Sequence, residues 1–172
     1  MTNEIPSLRE FRVLVTGGRA YPDREAVFAR LAACREGATE WGLTLIVIHG
    51  ACPTGADHWA EVWRRRECVE VRRFPAQWGR LGLSAGPRRN QQMVSEGQPD
   101  LVLAFPGNRG TADTVRRASA AGVLVAHLES ELSPALARAL QRVLEDEIIT
   151  EPVRVSAPVP GAARDDGEDM GR

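Results

Sequence analysis

Three stretches of this chain share one pattern: a short apolar run, a glycine-bearing turn, then residues at helical spacing. They are FRVLV before Thr16-Gly17-Gly18-Arg19, LTLIVIH before Gly50-Ala51-Cys52-Pro53-Thr54-Gly55-Ala56-Asp57, and DLVLAF before Pro106-Gly107-Asn108-Arg109-Gly110-Thr111. Runs this short and β-branched suit strands buried on both faces, as in a parallel sheet. Strands alternating with helices through right-handed crossovers place every strand's C-terminal end on one edge. All three glycine turns then fall on that edge, where open α/β sheets bind ligands.

The same reading extends along the chain. Strands are expected at Phe11–Thr16, Leu43–Ile48, Val69–Phe74, Asp100–Phe105 and Val123–Ala126, the third alternating enough to lie near an edge. Tyr21-Pro22-Asp23 opens a helix that Gly37 should end. Thr54-x-x-Asp57 resembles a capping box and opens a helix to about Arg66. Pro75–Ser84 reads as a loop, and Pro87 starts a helix to about Glu96. Gly110–Ala121 is a further helix. Pro134–Glu147 is the last, with Leu136, Ala139, Leu140, Val143 and Leu144 on one stripe. The fold class is therefore α/β, a Rossmann-like three-layer sandwich with a mainly parallel sheet of about five or more strands. Residues 1–10 form a lead-in, 11–148 one folded domain, and 149–172 a tail that reads as disordered by composition.

Composition narrows the function classes. At 172 residues, 43% hydrophobic and 26% charged, the chain is an ordinary single globular domain. Its net charge of −1 gives no global field toward nucleic acid or anionic membrane, and neither partner is expected. All 22 basic residues are arginine. Schiff-base chemistry and a P-loop lysine are therefore excluded, and any side-chain cation gripping a phosphate is a guanidinium. The cysteines, Cys34, Cys52 and Cys68, form no C-x-x-C, and His49, His58 and His127 form no H-E-x-x-H. No metal site and no cofactor are expected. The first ten residues lack the pattern of a secretory signal, and no apolar run approaches a membrane span, so a cytoplasmic protein is expected.

The candidate site follows from the turns. Backbone amides freed of side chains, followed by a helix N-terminus, suit a phosphate or another anion. Gly17, Gly18 and Arg19 are read as such a cradle, and Gly50 and Gly55 as a second. Pro106, Gly107, Gly110 and Thr111 are the best single group, with the threonine hydroxyl free to donate to phosphate. Arg88, Arg89 and Asn90 lie in the first turn of a helix, where a cation is unfavourable by ~0.3–1 kcal/mol unless an anion is near. Two adjacent arginines there suggest an external anion, and Arg89 and Asn90 are carried as candidate ligand residues. Trp78 is placed to stack on a base or to cover the edge of the core. His49 ends a strand near the site, as an acid or base or as a satisfied buried histidine. Asp57 either accepts from a sugar hydroxyl or caps its own helix.

Taken in order, VTGGR, HGACPTGAD, AGPRRN and AFPGNRGTAD resemble the YspA-like branch of the SLOG superfamily, relatives of the DNA-processing protein DprA/Smf and the Lonely Guy proteins. The likeness covers about residues 11–127. It implies a Rossmann-like fold and the sensing or processing of nucleotides and their derivatives, often in bacterial or phage conflict systems. Lonely Guy proteins are phosphoribohydrolases whose pattern is an Arg ahead of a Met in one helix, then P-G-G-x-G-T-x-x-E. Arg89, Met93, Pro106, Gly107, Gly110 and Thr111 match it. Thr114 stands where the catalytic Glu would be, and Asp113 comes one residue early, turned by ~100° on a helix.

Two functions follow as expectations. One is a sensor or sequestering module for a nucleotide or phosphoribosyl compound, with phosphate across Gly17–Arg19 and Gly107–Thr111. The other is an N-glycosidic hydrolase of nucleoside monophosphates, with Asp113 or Asp57 as the carboxylate that its oxocarbenium-like transition state needs. The apolar stripe of the 134–147 helix is a candidate contact for a homo-oligomer.

Overall fold

The most apolar strands occupy the middle of the sheet. In the computed structural model, which describes residues 9–148, they are β1 (Glu10–Thr16), β2 (Thr44–His49) and β4 (Leu101–Ala104). The shorter and more polar β3 (Glu70–Arg73) and β5 (Leu124–His127) form the edges. All neighbours pair in parallel, in the order β3-β2-β1-β4-β5, so the sheet has five strands of one direction. The tail expected at 149–172 and most of the lead-in lie outside the described residues; Glu10 belongs to β1.

Side chains of alternate strand residues point to opposite faces, and both faces are covered. Phe11, Val13, Val15, Leu45, Val47, Leu101 and Leu103 pack against α1 (Arg24–Glu40), α2 (Gly55–Arg66) and α6 (Leu132–Ile148). Leu14, Ile48 and Val102 pack against α4 (Ala85–Ser95) and α5 (Arg109–Ala120). The chain is thus a doubly wound three-layer sandwich, as the strand pattern predicts.

Several local details depart from the sequence reading. Gly37 does not end α1, which continues to Glu40. A Cβ at Gly37 would stand 3.1 Å from Leu140 and 3.3 Å from Leu136, so this glycine lets α6 pack close. Asp23 caps α1 as a side-chain acceptor for the Ala26 amide at 2.9 Å. The expected loop at Pro75–Ser84 contains a short helix, α3 (Trp78–Leu81), and a 3-10 turn over Gly82–Ser84. α4 starts at Ala85, two residues before Pro87, which still falls in the first turn where proline is tolerated. The α6 stripe proposed for a subunit contact is covered by the protein itself. Leu136, Ala139 and Leu140 are buried in the core shared with α1, and Val143 and Leu144 pack against it.

Candidate functional site

The winding reverses between β1 and β4. The turn after β1 leads to α1 on one face, and the turn after β4 leads to α5 on the other. The two turns are tied where they part: the Gly18 amide donates to the Pro106 carbonyl at 2.9 Å. A crevice at the carboxyl ends of strands is expected at this switch point, and a cleft of about 360 Å³ opens there.

Most of the residues singled out from the sequence converge on this cleft. Gly17, Arg19, Trp78, Arg89 and Asn90 line it, together with Gly110 and Thr111. Asp57 and Asp113 also reach its wall. Pro106 and Gly107 line an adjoining groove on the far side of the α5 start. Gly50 lines a side lobe with Pro53 and Ala76. Gly18 and Gly55 lie between turns rather than on the cleft surface. Gly55 has φ +72°, and a Cβ there would run into the Gly18 carbonyl and come within 2.8 Å of the Arg19 Cα. Its role is close packing of one turn on another.

The floor at α5 is open for an anion. Asn108 is the N-cap residue, yet no side chain caps the helix. The amides of Arg109, Gly110 and Thr111 therefore have no acceptor within the helix. The Thr111 hydroxyl has no partner among the described residues, and Arg109 and Arg19 have no carboxylate partner there. Most other arginines are paired: Arg12 with Asp100, Arg72 with Glu10, and Arg116 and Arg117 with Asp113. Arg109 lies outside the ligand set expected from the sequence. The available signal was an arginine at the first position of the helix after an apolar strand.

Gly110 accepts a Cβ without any atom within 4 Å, and its φ is not positive. Gly110→Ala should therefore raise stability by about 0.5 kcal/mol, because alanine restricts the unfolded chain and favours the helix. Urea unfolding checks this, and a loss of stability would show a constraint at this turn that the packing does not reveal.

The remaining polar residues hold the site in shape. The Asn90 side chain is buried and accepts from Arg89 Nε at 2.9 Å. It donates to the Gly110 carbonyl at 3.3 Å and to Asp113 Oδ2 at 3.1 Å. Asn90 thus joins α4 to the start of α5. Arg89 Nη1 donates to the Gly50 carbonyl at 2.5 Å. Burial lowers the Arg89 pKa, and Asp57 opposes that shift.

The capping box does not form. Thr54 makes no cap bond, and Asp57 Oδ2 instead accepts from the Cys52 amide at 3.2 Å. Burial raises the Asp57 pKa against the pull of His49, the Cys52 amide and Arg89. His49 is buried, outside the cleft, and satisfied on both ring nitrogens. Nδ1 accepts from the Ala51 amide at 3.0 Å, which leaves the proton on Nε2, 3.0 Å from Glu61 Oε2. Ala51, Gly50 and Cys52 are thereby held by His49, Arg89 and Asp57 in turn, with Ala51 at φ +55°.

The two carboxylates considered for glycosidic cleavage are engaged. Asp113 Oδ1 accepts from Arg116, and Oδ2 accepts from Arg117 at 2.8 Å as well as from Asn90. Burial alone would raise its pKa, but these donors outweigh it and hold the carboxyl below the usual range. Thr114, at the position of the Lonely Guy glutamate, is buried and donates back to the Gly110 carbonyl at 3.1 Å. Among the described residues no group of three His, Cys, Asp or Glu side chains could hold a metal ion. No helix there is long and apolar enough to cross a membrane.

The fold and cleft define a doubly wound α/β domain with an open crevice at its switch point. A model of the YspA, cpYpsA-related SLOG family matches residues 11–80. Gene 61 protein of Mycobacterium phage D29 is 39% identical over 121 residues, covering 66% of this chain and 93% of that protein. The chain belongs to the YspA, cpYpsA-related SLOG family. Among solved structures, the Moco carrier protein from Chlamydomonas reinhardtii aligns with a TM-score of 0.48 at 15% identity, over 80% of this chain and 99% of that one.

Proposed function

We propose that the cleft binds a nucleotide or phosphoribosyl compound, and that the protein senses or sequesters it. The observation that carries this reading is the uncapped start of α5, which opens onto a cleft whose arginines Arg19 and Arg109 have no acidic partner among the described residues. Phosphate sits against the Arg109–Thr111 amides, where the helix terminus, the Thr111 hydroxyl and a guanidinium act together. The sugar lies over Gly17, and the base lies toward Trp78 and the Cys52 turn. The engaged oxygens of Asp113 favour binding over glycosidic cleavage, because hydrogen bonds from Asn90 and two guanidinium groups draw charge from the carboxylate and weaken it as a base or nucleophile.

Calorimetry with nucleoside monophosphates and ADP-ribose tests the reading directly. Binding by at least one of them is expected, and no heat from any at millimolar ligand would refute it. Arg109→Ala should weaken the bound compound about fivefold to thirtyfold, as expected for one charge-assisted contact of about 1–2 kcal/mol. The melting temperature of the free protein should not fall, since Arg109 is exposed, has no acidic partner among the described residues, and is a cation in the first turn of α5. Release of free base from these nucleotides, lost in Asp113→Asn, would instead establish the hydrolase.

A further inference from the structure

The cleft has a second lobe, and four side chains stand between the two. The side lobe, about 420 Å³, is lined by the apolar Ala51, Pro53, Pro75 and Ala76 together with Gly50 and Thr54. The main lobe holds the α5 amides, Arg109 and Thr111. Arg19, Cys52, Trp78 and Arg89 border both.

Two of these partition residues touch each other. The Arg19 guanidinium lies over the Trp78 ring at 5.3 Å, within cation–π range. Trp78 is 46% exposed, and its ring rests near Gly86, where a Cβ would be 3.2 Å from it. Arg19 is exposed, with no hydrogen bond or ion pair among the described residues. An exposed cation–π contact is weaker than a charge-assisted bond to phosphate. The indole face is a stacking platform for any planar base.

We infer that Arg19 and Trp78 form an exchangeable partition that selects ligands carrying both a phosphate and a planar base. Arg19 leaves the Trp78 ring to pair with the phosphate in the main lobe, and the base takes its place on the indole, facing the side lobe. Neither half of the ligand gains the whole effect alone. A base without phosphate must compete with Arg19 for the ring, and a phosphate without a base leaves the ring uncovered. The inference rests on the nucleotide reading of the cleft and adds its selectivity.

The test measures AMP, ribose phosphate and adenosine by calorimetry on the full chain and on Trp78→Leu and Arg19→Ala. In Trp78→Leu the affinity for AMP should fall about tenfold to a hundredfold relative to ribose phosphate. In Arg19→Ala, AMP should weaken about tenfold while adenosine tightens about twofold to fivefold, because the indole is uncovered. That opposite movement is not expected of a merely structural Arg19. If AMP and ribose phosphate bind but lose affinity equally in Trp78→Leu, or if adenosine weakens in Arg19→Ala, the partition is overturned and the cleft reading survives. If the wild type binds none of the three, the partition is overturned, and the cleft reading is decided by the other nucleoside monophosphates and ADP-ribose.

Discussion

Gly55→Ala should lower the unfolding free energy by about 3–4 kcal/mol, a large part of the roughly 5–15 kcal/mol typical of a domain. Two costs combine. A side chain at φ +72° is disfavoured by about 1–2 kcal/mol. The new Cβ also meets backbone, the Gly18 carbonyl and the Arg19 Cα, which cannot rotate away as a side chain can. Gly122 gives the control. It has φ +76° but nothing within 4 Å of a built Cβ, so Gly122→Ala should cost only the conformational part, about 1 kcal/mol. Urea unfolding of both variants measures the difference. Equal losses would mean that the turn at Gly18 yields to Gly55, and that the rim of the cleft is softer than the packing implies.

Glu61→Ala should cost about 2–3 kcal/mol. This carboxylate accepts from Arg64 at 2.7 Å, Arg65 at 2.6 Å, Arg73 at 2.8 Å and His49 at 3.0 Å. Removing it leaves the His49 Nε2–H buried without an acceptor, worth about 1–3 kcal/mol, and leaves three guanidinium groups facing one another. Acid titration separates the parts. Burial depresses the His49 pKa against the raising influence of Asp57 and Glu61. The unfolded chain therefore takes up a proton below pH ~6.5 that the folded chain refuses, and stability falls as pH drops, by at most about 1.4 kcal/mol per unit. Partial burial works to raise the Glu61 pKa, but the hydrogen bonds from Arg73, Arg64, Arg65 and His49 dominate and depress it. Its contribution is complete above about pH 4.3 and is lost as pH falls toward the folded value. Asp57 and Asp100, raised by burial, act in the opposite sense. Glu61→Ala should abolish the lower stage and keep the upper one, and His49→Gln should do the reverse. An unchanged acid profile in both would remove this network from the stability of the fold.

How far the site was legible depended on what kind of interaction defined each residue. Gly17, Arg19, Arg89, Gly110 and Thr111 could be placed on one rim because strand–turn–helix order and crossover handedness bring strand ends together. Gly55 was noticed for the right geometry, but its neighbour is the backbone of another turn rather than a ligand. The spacing Thr54-x-x-Asp57 leaves Asp57 open between a sugar acceptor and a helix cap, and its oxygen instead accepts from the Cys52 amide, a donor that this spacing does not mark. Gly37 looked like a helix terminus until α6 was seen packed against it.

The chain's own order of residues determined the layered α/β architecture, the edge on which ligands are expected, and the absence of any lysine chemistry. Those properties follow from local periodicity and chirality, which need no knowledge of distant contacts. Tertiary structure decided which charges at the cleft are left free. Asp113 and Glu61 are neutralised by arginines that converge on them, while Arg19 and Arg109 are left without acids at the cleft. Helical spacing already sets Arg116 and Arg117 beside Asp113 and Arg64 and Arg65 beside Glu61. Distance across the fold adds Arg73 and His49 to Glu61 and keeps carboxylates away from Arg19 and Arg109, which no spacing along the chain encodes.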